Sequence, residues 1–100
     1  MSILDQNSAI IEKLCVSHNV KKLYAFGSVL TEKFNSESDI DLIVDFDVMD
    51  VEKYADNYFE LKFSLQDIFK HPIDLLEEKA LKNPYFKQSI SQHRKVVYEH

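Results

Sequence analysis

The sequence predicts an α/β domain in which helices and strands alternate in the order αβαβαβαβ. Two observations carry that reading. Apolar spacing switches repeatedly between the helical period and the strand period along the chain. The 100 residues are 45% apolar and contain no repeat, linker or low-complexity tract, which suits a single domain over residues 1–100 with one core.

The elements follow in order. Ile10, Ile11, Leu14 and Cys15 have helical spacing, which predicts a helix over about 7–18 with Cys15 as a core residue. Lys22 to Phe26 reads as a short strand ending at Gly27, the sole glycine, where a tight turn or a close backbone approach is expected. Val29 to Asn35 reads as a short helix and loop, and Asn35–Ser38 as a polar turn that Ser38 organises before Asp39. Ile40, Leu42, Val44 and Phe46 then alternate with Asp39, Asp41, Ile43, Asp45 and Asp47, a strand with one core face and one acidic face. Val51, Tyr54, Ala55, Tyr58, Leu61, Leu65 and Ile68 trace a helical stripe, widened by Phe59, Phe63 and Phe69, with Asp50 placed to cap its start. The stripe is wide for a chain of this size, which predicts a homodimer or partner face. Pro72 ends the helix and opens the strand Ile73–Leu76, interrupted by Asp74. Leu81 begins a turn or short helix, Pro84 suits the first position of a helix to about His93, and Val96–Tyr98 closes the chain as a strand.

Charge and cysteine content narrow the function. The formal net charge is −5, which disfavours nucleic acid as a partner, because such binders displace phosphate counterions with excess Lys and Arg. A lone cysteine forms no internal disulfide, no apolar run reaches the roughly 20 residues of a membrane helix, and no signal peptide follows Met1. A soluble cytoplasmic domain is therefore expected. The acidity is local: Glu37, Asp39, Asp41, Asp45, Asp47 and Asp50 supply six of the seventeen acids with no Lys or Arg among them. Carboxylates two residues apart on one strand face repel, and Asp is rare in strands. Acids that protect a solvated strand edge would explain Asp45 and Asp47. A divalent-metal site would better explain Asp39 and Asp41.

One constellation carries chemistry. Gly27-Ser28 closes the first strand, ten residues follow, Asp39-Ile40-Asp41 opens the next, and Asp74 lies inside a later apolar strand. A glycine at a strand end lets the chain turn so that backbone N–H groups and a serine hydroxyl can hold phosphate oxygens. The acids of an Asp-x-Asp pair point to one face and can share Mg²⁺, and a third carboxylate on a neighbouring strand completes a two-metal site. The remaining polar residues read as structural. His18 ends a helix, His71 sits just before the Asp74 strand and reads as an exposed turn residue, with reaching the site as the alternative, His93 and His100 lack zinc-site spacing, and the tyrosines are mostly packing residues.

The segments FGSVLTEKFNSESDIDLIVDF (26–46) and HPIDLLEEKALKNPYF (71–86) resemble the minimal nucleotidyltransferase group of the DNA polymerase β superfamily, and the likeness runs from about Leu23 to the C-terminus. It implies a polymerase β-like α+β fold: a small mixed sheet with helices on one face and a half-open active face. It also implies transfer of a nucleoside monophosphate, with ATP as the expected donor, to an acceptor hydroxyl with release of pyrophosphate. By position, Gly27 and Ser28 would bind the triphosphate, Asp39 and Asp41 would hold two Mg²⁺ ions, and Asp74 would ligate the ion beside the acceptor and help deprotonate it. Many small members of the group are antitoxins of all-helical HEPN proteins, and some transfer AMP to a partner tyrosine. The resemblance therefore implies a HEPN-type partner and a protein adenylyltransferase. The chain departs from the group at Thr31-Glu32, where many relatives carry Arg-Gly, and Lys33 would then supply the cation near phosphate. No second domain grips a primer, so the acceptor is expected to be a protein or a small molecule. The rival expectation is a weak or inactive module that neutralises a helical partner by contact through the aromatic helix.

Overall fold

The computed structural model describes residues 2–100 as α1 (Ile3–Gln6), α2 (Ser8–Ser17), β1 (Val20–Phe26), a 3₁₀ turn (Gly27–Leu30), β2 (Ile40–Phe46), α3 (Val51–Phe69), β3 (Ile73–Glu77), a second 3₁₀ turn (Glu78–Ala80), α4 (Pro84–His93) and β4 (Lys95–Glu99). The four strands form one mixed sheet in the order β3-β2-β1-β4. β1 runs antiparallel to both β2 and β4, whereas β2 and β3 are parallel and are joined through α3. A parallel pair needs a crossover of about a dozen residues or more, and the 19-residue α3 supplies it.

The first helix differs from its expected bounds. The chain bends at Asn7, whose side-chain amide donates to Ile3 O at 2.8 Å, and this splits off α1. α1 has its own cap, because the Ser2 hydroxyl accepts from the Asp5 N–H. The expected helix after Val29 is only the 3₁₀ turn Gly27–Leu30, since Thr31 is extended and ends it. Asp50 occupies the N-cap of α3, but its side chain accepts no capping hydrogen bond.

One face of the sheet carries the main core. Leu23 and Ala25 of β1, Ile40, Leu42, Val44 and Phe46 of β2, and Ile73 and Leu75 of β3 are buried beneath Ile11 and Cys15 of α2 and Leu61, Leu65 and Phe69 of α3. The alternation in β2 therefore falls as the sequence predicts. Cys15 is fully buried, and that burial pushes its thiol up to about 12, which suits a core residue.

The opposite face is covered at one end only. Ile90 of α4 packs on Tyr24 and Ile43, with Phe26, Leu76 and Leu81 around them. The Arg94 guanidinium, just past α4, lies 3.9 Å from the centre of the Tyr24 ring and 2.8 Å from Glu78 Oε1, which pins the end of that helix. Ile43 therefore lies on the acidic face and is still fully buried. Asp45, on the same face, is not a freely solvated edge residue: its side chain is 16% exposed and pairs with Lys79 Nζ at 3.6 Å. The uncovered part of this face begins at Asp41. Among the described residues, no helix is long and apolar enough to cross a membrane.

Candidate active site

The site is built where β1 ends beside the start of β2. Phe26 pairs with Asp41 across the two strands. The next residue, Gly27, has φ +76°, a conformation that strains any residue with a Cβ. A Cβ placed there would lie 2.5 Å from Asp41 Oδ2. The only glycine of the chain is thus required twice, by its backbone angle and by the carboxylate against it. Val29 is buried and anchors the 3₁₀ turn that follows, with Ser28 half-buried beside the glycine.

Thr31 has a structural task. Its N–H and its hydroxyl both donate to Ser28 O at 2.9 Å, and its hydroxyl accepts from the Lys33 N–H at 3.2 Å. The departure from the group's pattern therefore closes the Gly27–Leu30 turn, and Glu32 is left exposed. Lys33 is also exposed. Among the described residues it forms no ion pair, and no contact brings its ammonium to the carboxylates.

The loop before β2 is tied from both sides. Within it, the Asn35 N–H donates to Ser38 Oγ, the Ser38 N–H to Asn35 O, and the Glu37 N–H to Asn35 Oδ1. From outside, His71 Nδ1 lies 2.8 Å from Ser38 O; a carbonyl only accepts, so Nδ1 carries the proton. The His71 ring also lies against Phe34, with centroids 4.8 Å apart. The Ile40 N–H donates to Pro72 O at 2.9 Å. These contacts clamp the entry of β2 to the entry of β3, and they set the register that places Asp41 opposite Asp74. His71 is therefore half-buried and organises the site, where the sequence suggested an exposed turn. Its position next to Pro72, at the head of the strand carrying Asp74, was the available signal. Tyr58 carries no comparable signal: its hydroxyl donates to Leu75 O of β3, one residue past Asp74.

Asp41 feels the other two carboxylates. The Asp41 carboxyl is raised above its ordinary value, first by burial and then by the negative charges of Asp74 and Asp39. Asp39 and Asp74 are exposed beside it. Like charges do not close into a cage by themselves, and among the described residues no three acidic, His or Cys side chains stand at metal-holding spacing. The donor set nevertheless fits a hard divalent cation: three carboxylates on neighbouring strand positions, oxygen donors only, one of them penalised as a bare anion. The structure thus brings together Gly27, Asp39, Asp41 and Asp74 and keeps Ser28 adjacent, while Lys33 is exposed and pairs with none of the carboxylates.

Comparison with known proteins shows the family and the fold. The model of the nucleotidyltransferase domain family matches residues 8–97. A Methanocaldococcus jannaschii protein named "Putative protein adenylyltransferase" is 36% identical over 75 residues, which covers 75% of this chain and 74% of that protein. A solved "putative minimal nucleotidyltransferase" superposes with a TM-score of 0.77 at 23% identity, covering 95% of each chain. A chain from the structure of a tri-AMPylated Shewanella oneidensis HEPN toxin in complex with MNT antitoxin superposes with a TM-score of 0.65 at 21% identity, covering 97% of this chain and 73% of that one.

Proposed function

This chain belongs to the nucleotidyltransferase domain family, and we propose that it transfers AMP from ATP to a hydroxyl of a protein partner, with Mg²⁺, as the antitoxin of a HEPN-type toxin. The observation that carries this reading is Asp41 in register with Asp74, next to Asp39 and directly against Gly27. The M. jannaschii relative and the HEPN–MNT complex support the adenylyl group and the kind of partner.

Each residue then has a task. Gly27 keeps side-chain atoms out of the space beside Asp41 and, with the Ser28 hydroxyl and the first N–H groups of the turn, seats the triphosphate. Lys33, on its exposed loop, offers a cation to the outer phosphates. Asp39 and Asp41 would hold two Mg²⁺ ions, and Asp74 would hold the one on the acceptor side. When bound, the metal supplies charge neutralisation on the phosphates and lowers the pKa of an oxygen it touches. Asp74, exposed on its strand, would help take the proton of the acceptor hydroxyl. The acceptor oxygen forms the bond to the α-phosphorus, the bond to the bridging oxygen breaks, and pyrophosphate leaves. His71 and Phe34 hold the Asp39 loop throughout.

Incubation with ATP, Mg²⁺ and a HEPN-type partner protein should raise the mass of that protein by one or more AMP groups. An unchanged mass, with the two proteins bound to each other, contradicts the proposal. His71→Ala removes one hydrogen bond, so it should cost about 1 kcal/mol of stability and slow transfer by more than that loss explains. Urea unfolding and initial rates check both.

A second reading, neutralisation by contact alone, is favoured by one observation. Phe59 and Phe63 of α3 are 49% and 59% exposed, and their rings stack with centroids 6.1 Å apart. The stripe that looked too wide for the core does leave an apolar patch. Such a patch suits a partner or a second copy of the chain, and it is compatible with catalysis at the carboxylates.

A further inference from the structure

The first turn of α4 presents two aromatic rings that the fold does not use fully. Asn83 Oδ1 accepts from the N–H groups of Tyr85 and Phe86 at 2.9 and 3.2 Å, so this turn is held in place. Tyr85 is 81% exposed and Phe86 40%. The Phe86 ring meets Phe26 edge-on, with centroids 6.4 Å apart and planes at 84°. Phe26 is the cross-strand partner of Asp41 and the residue before Gly27. Directly opposed residues of an antiparallel pair share a face. Phe86 therefore stands one side chain away from Asp41, on the half-open face and beside the turn that seats phosphate. Ile90, one turn further on, is buried on Tyr24 and Ile43 and holds the helix in that place.

We propose that Phe86, flanked by Tyr85, is the platform on which the nucleobase of the triphosphate stacks. The inference rests on the nucleotidyl-transfer reading and extends it from the phosphates to the base. Leaving aromatic rings open to water forgoes their burial, and the core at Ile90 is complete without them. Stacking on an aromatic ring tolerates any base and grows with ring area, so the platform selects purines over pyrimidines and separates adenine from guanine only weakly.

Calorimetry of the full chain with saturating Mg²⁺ tests this, using ATP, CTP and inorganic tripolyphosphate as ligands. Phe86→Ala should weaken ATP binding by about tenfold and leave tripolyphosphate binding unchanged. Phe86→Leu, which keeps apolar packing on Phe26, should behave like Phe86→Ala, and Phe86→Trp should bind ATP at least as well as wild type. The preference of the wild type for ATP over CTP should shrink in Phe86→Ala. ATP binding that survives Phe86→Ala and Phe86→Leu overturns the platform. So does an equal loss for ATP and tripolyphosphate, which marks a general structural effect. If the wild-type chain binds none of the three ligands, the nucleotide reading itself fails and the platform falls with it.

Discussion

Asp39→Asn combined with Asp41→Asn should abolish the proposed AMP transfer and leave the fold intact. An amide oxygen is a neutral, weaker ligand for a hard cation than a carboxylate, so two of the three proposed metal ligands are lost together. The loss should exceed the roughly 10–100-fold that removal of an outer-shell partner costs. The fold should survive because these carboxylates contribute repulsion. The Asp41 carboxyl is raised by its burial and by Asp74 and Asp39, so its charged form is disfavoured in the folded chain. In metal-free buffer at neutral pH, Asp41→Asn removes that penalty and should melt at or above the wild-type temperature, a trade of stability for function. Addition of Mg²⁺ should raise the melting temperature of the wild type and not that of the double variant. Circular dichroism melts with and without Mg²⁺, beside a transfer assay, check all three. The double variant also separates the two readings of the partner. If contact alone neutralises a toxin, the variant still neutralises it; if transfer does, the variant binds and fails to neutralise.

The second large effect is at Gly27. Gly27→Ala should lower stability and transfer together. Holding an alanine at φ +76° costs roughly 1–2 kcal/mol. The added methyl would lie 2.5 Å from Asp41 Oδ2, so the carboxylate must move. Asp41 is the most covered of the three acids, and its displacement moves that carboxylate relative to those of Asp74 and Asp39. The two causes are separable by a double-mutant cycle. In an Asp41→Ala background the carboxylate is gone, and Gly27→Ala should then cost only the backbone strain. Equal cost in both backgrounds, measured by urea unfolding, would show that the close approach does not matter.

Much of this was legible in the residues. The period of two from Ile40 to Phe46 marks a half-buried strand, and the core face falls on the predicted residues. The α3 stripe marks a long helix, and its surplus width correctly foretold that some of its aromatics stay exposed. Gly27 after an apolar strand announced a tight turn or a close approach, and the structure has both. What was not legible depends on contacts between distant segments. Ile43 shares its face with acids, yet α4, nearly fifty residues on, buries it. Asp45 reads as a solvated edge residue until Lys79 arrives beside it. His71 looks like a turn histidine because nothing local shows that Ser38 O and Phe34 will meet it. Thr31 looks like a lost arginine, although it closes the turn at Ser28. The motif spacing brings three carboxylates together, but spacing alone does not say which way Lys33 points.

The central claim is that the chain moves a nucleotidyl group. Its most direct test is transfer from ATP labelled at one phosphate at a time, with Mg²⁺ and the helical partner present. Label on the α-phosphate should become covalently attached to the partner, and label on the γ-phosphate should leave as pyrophosphate. Attachment of the γ-label, or release of both labels with none on protein, would contradict it.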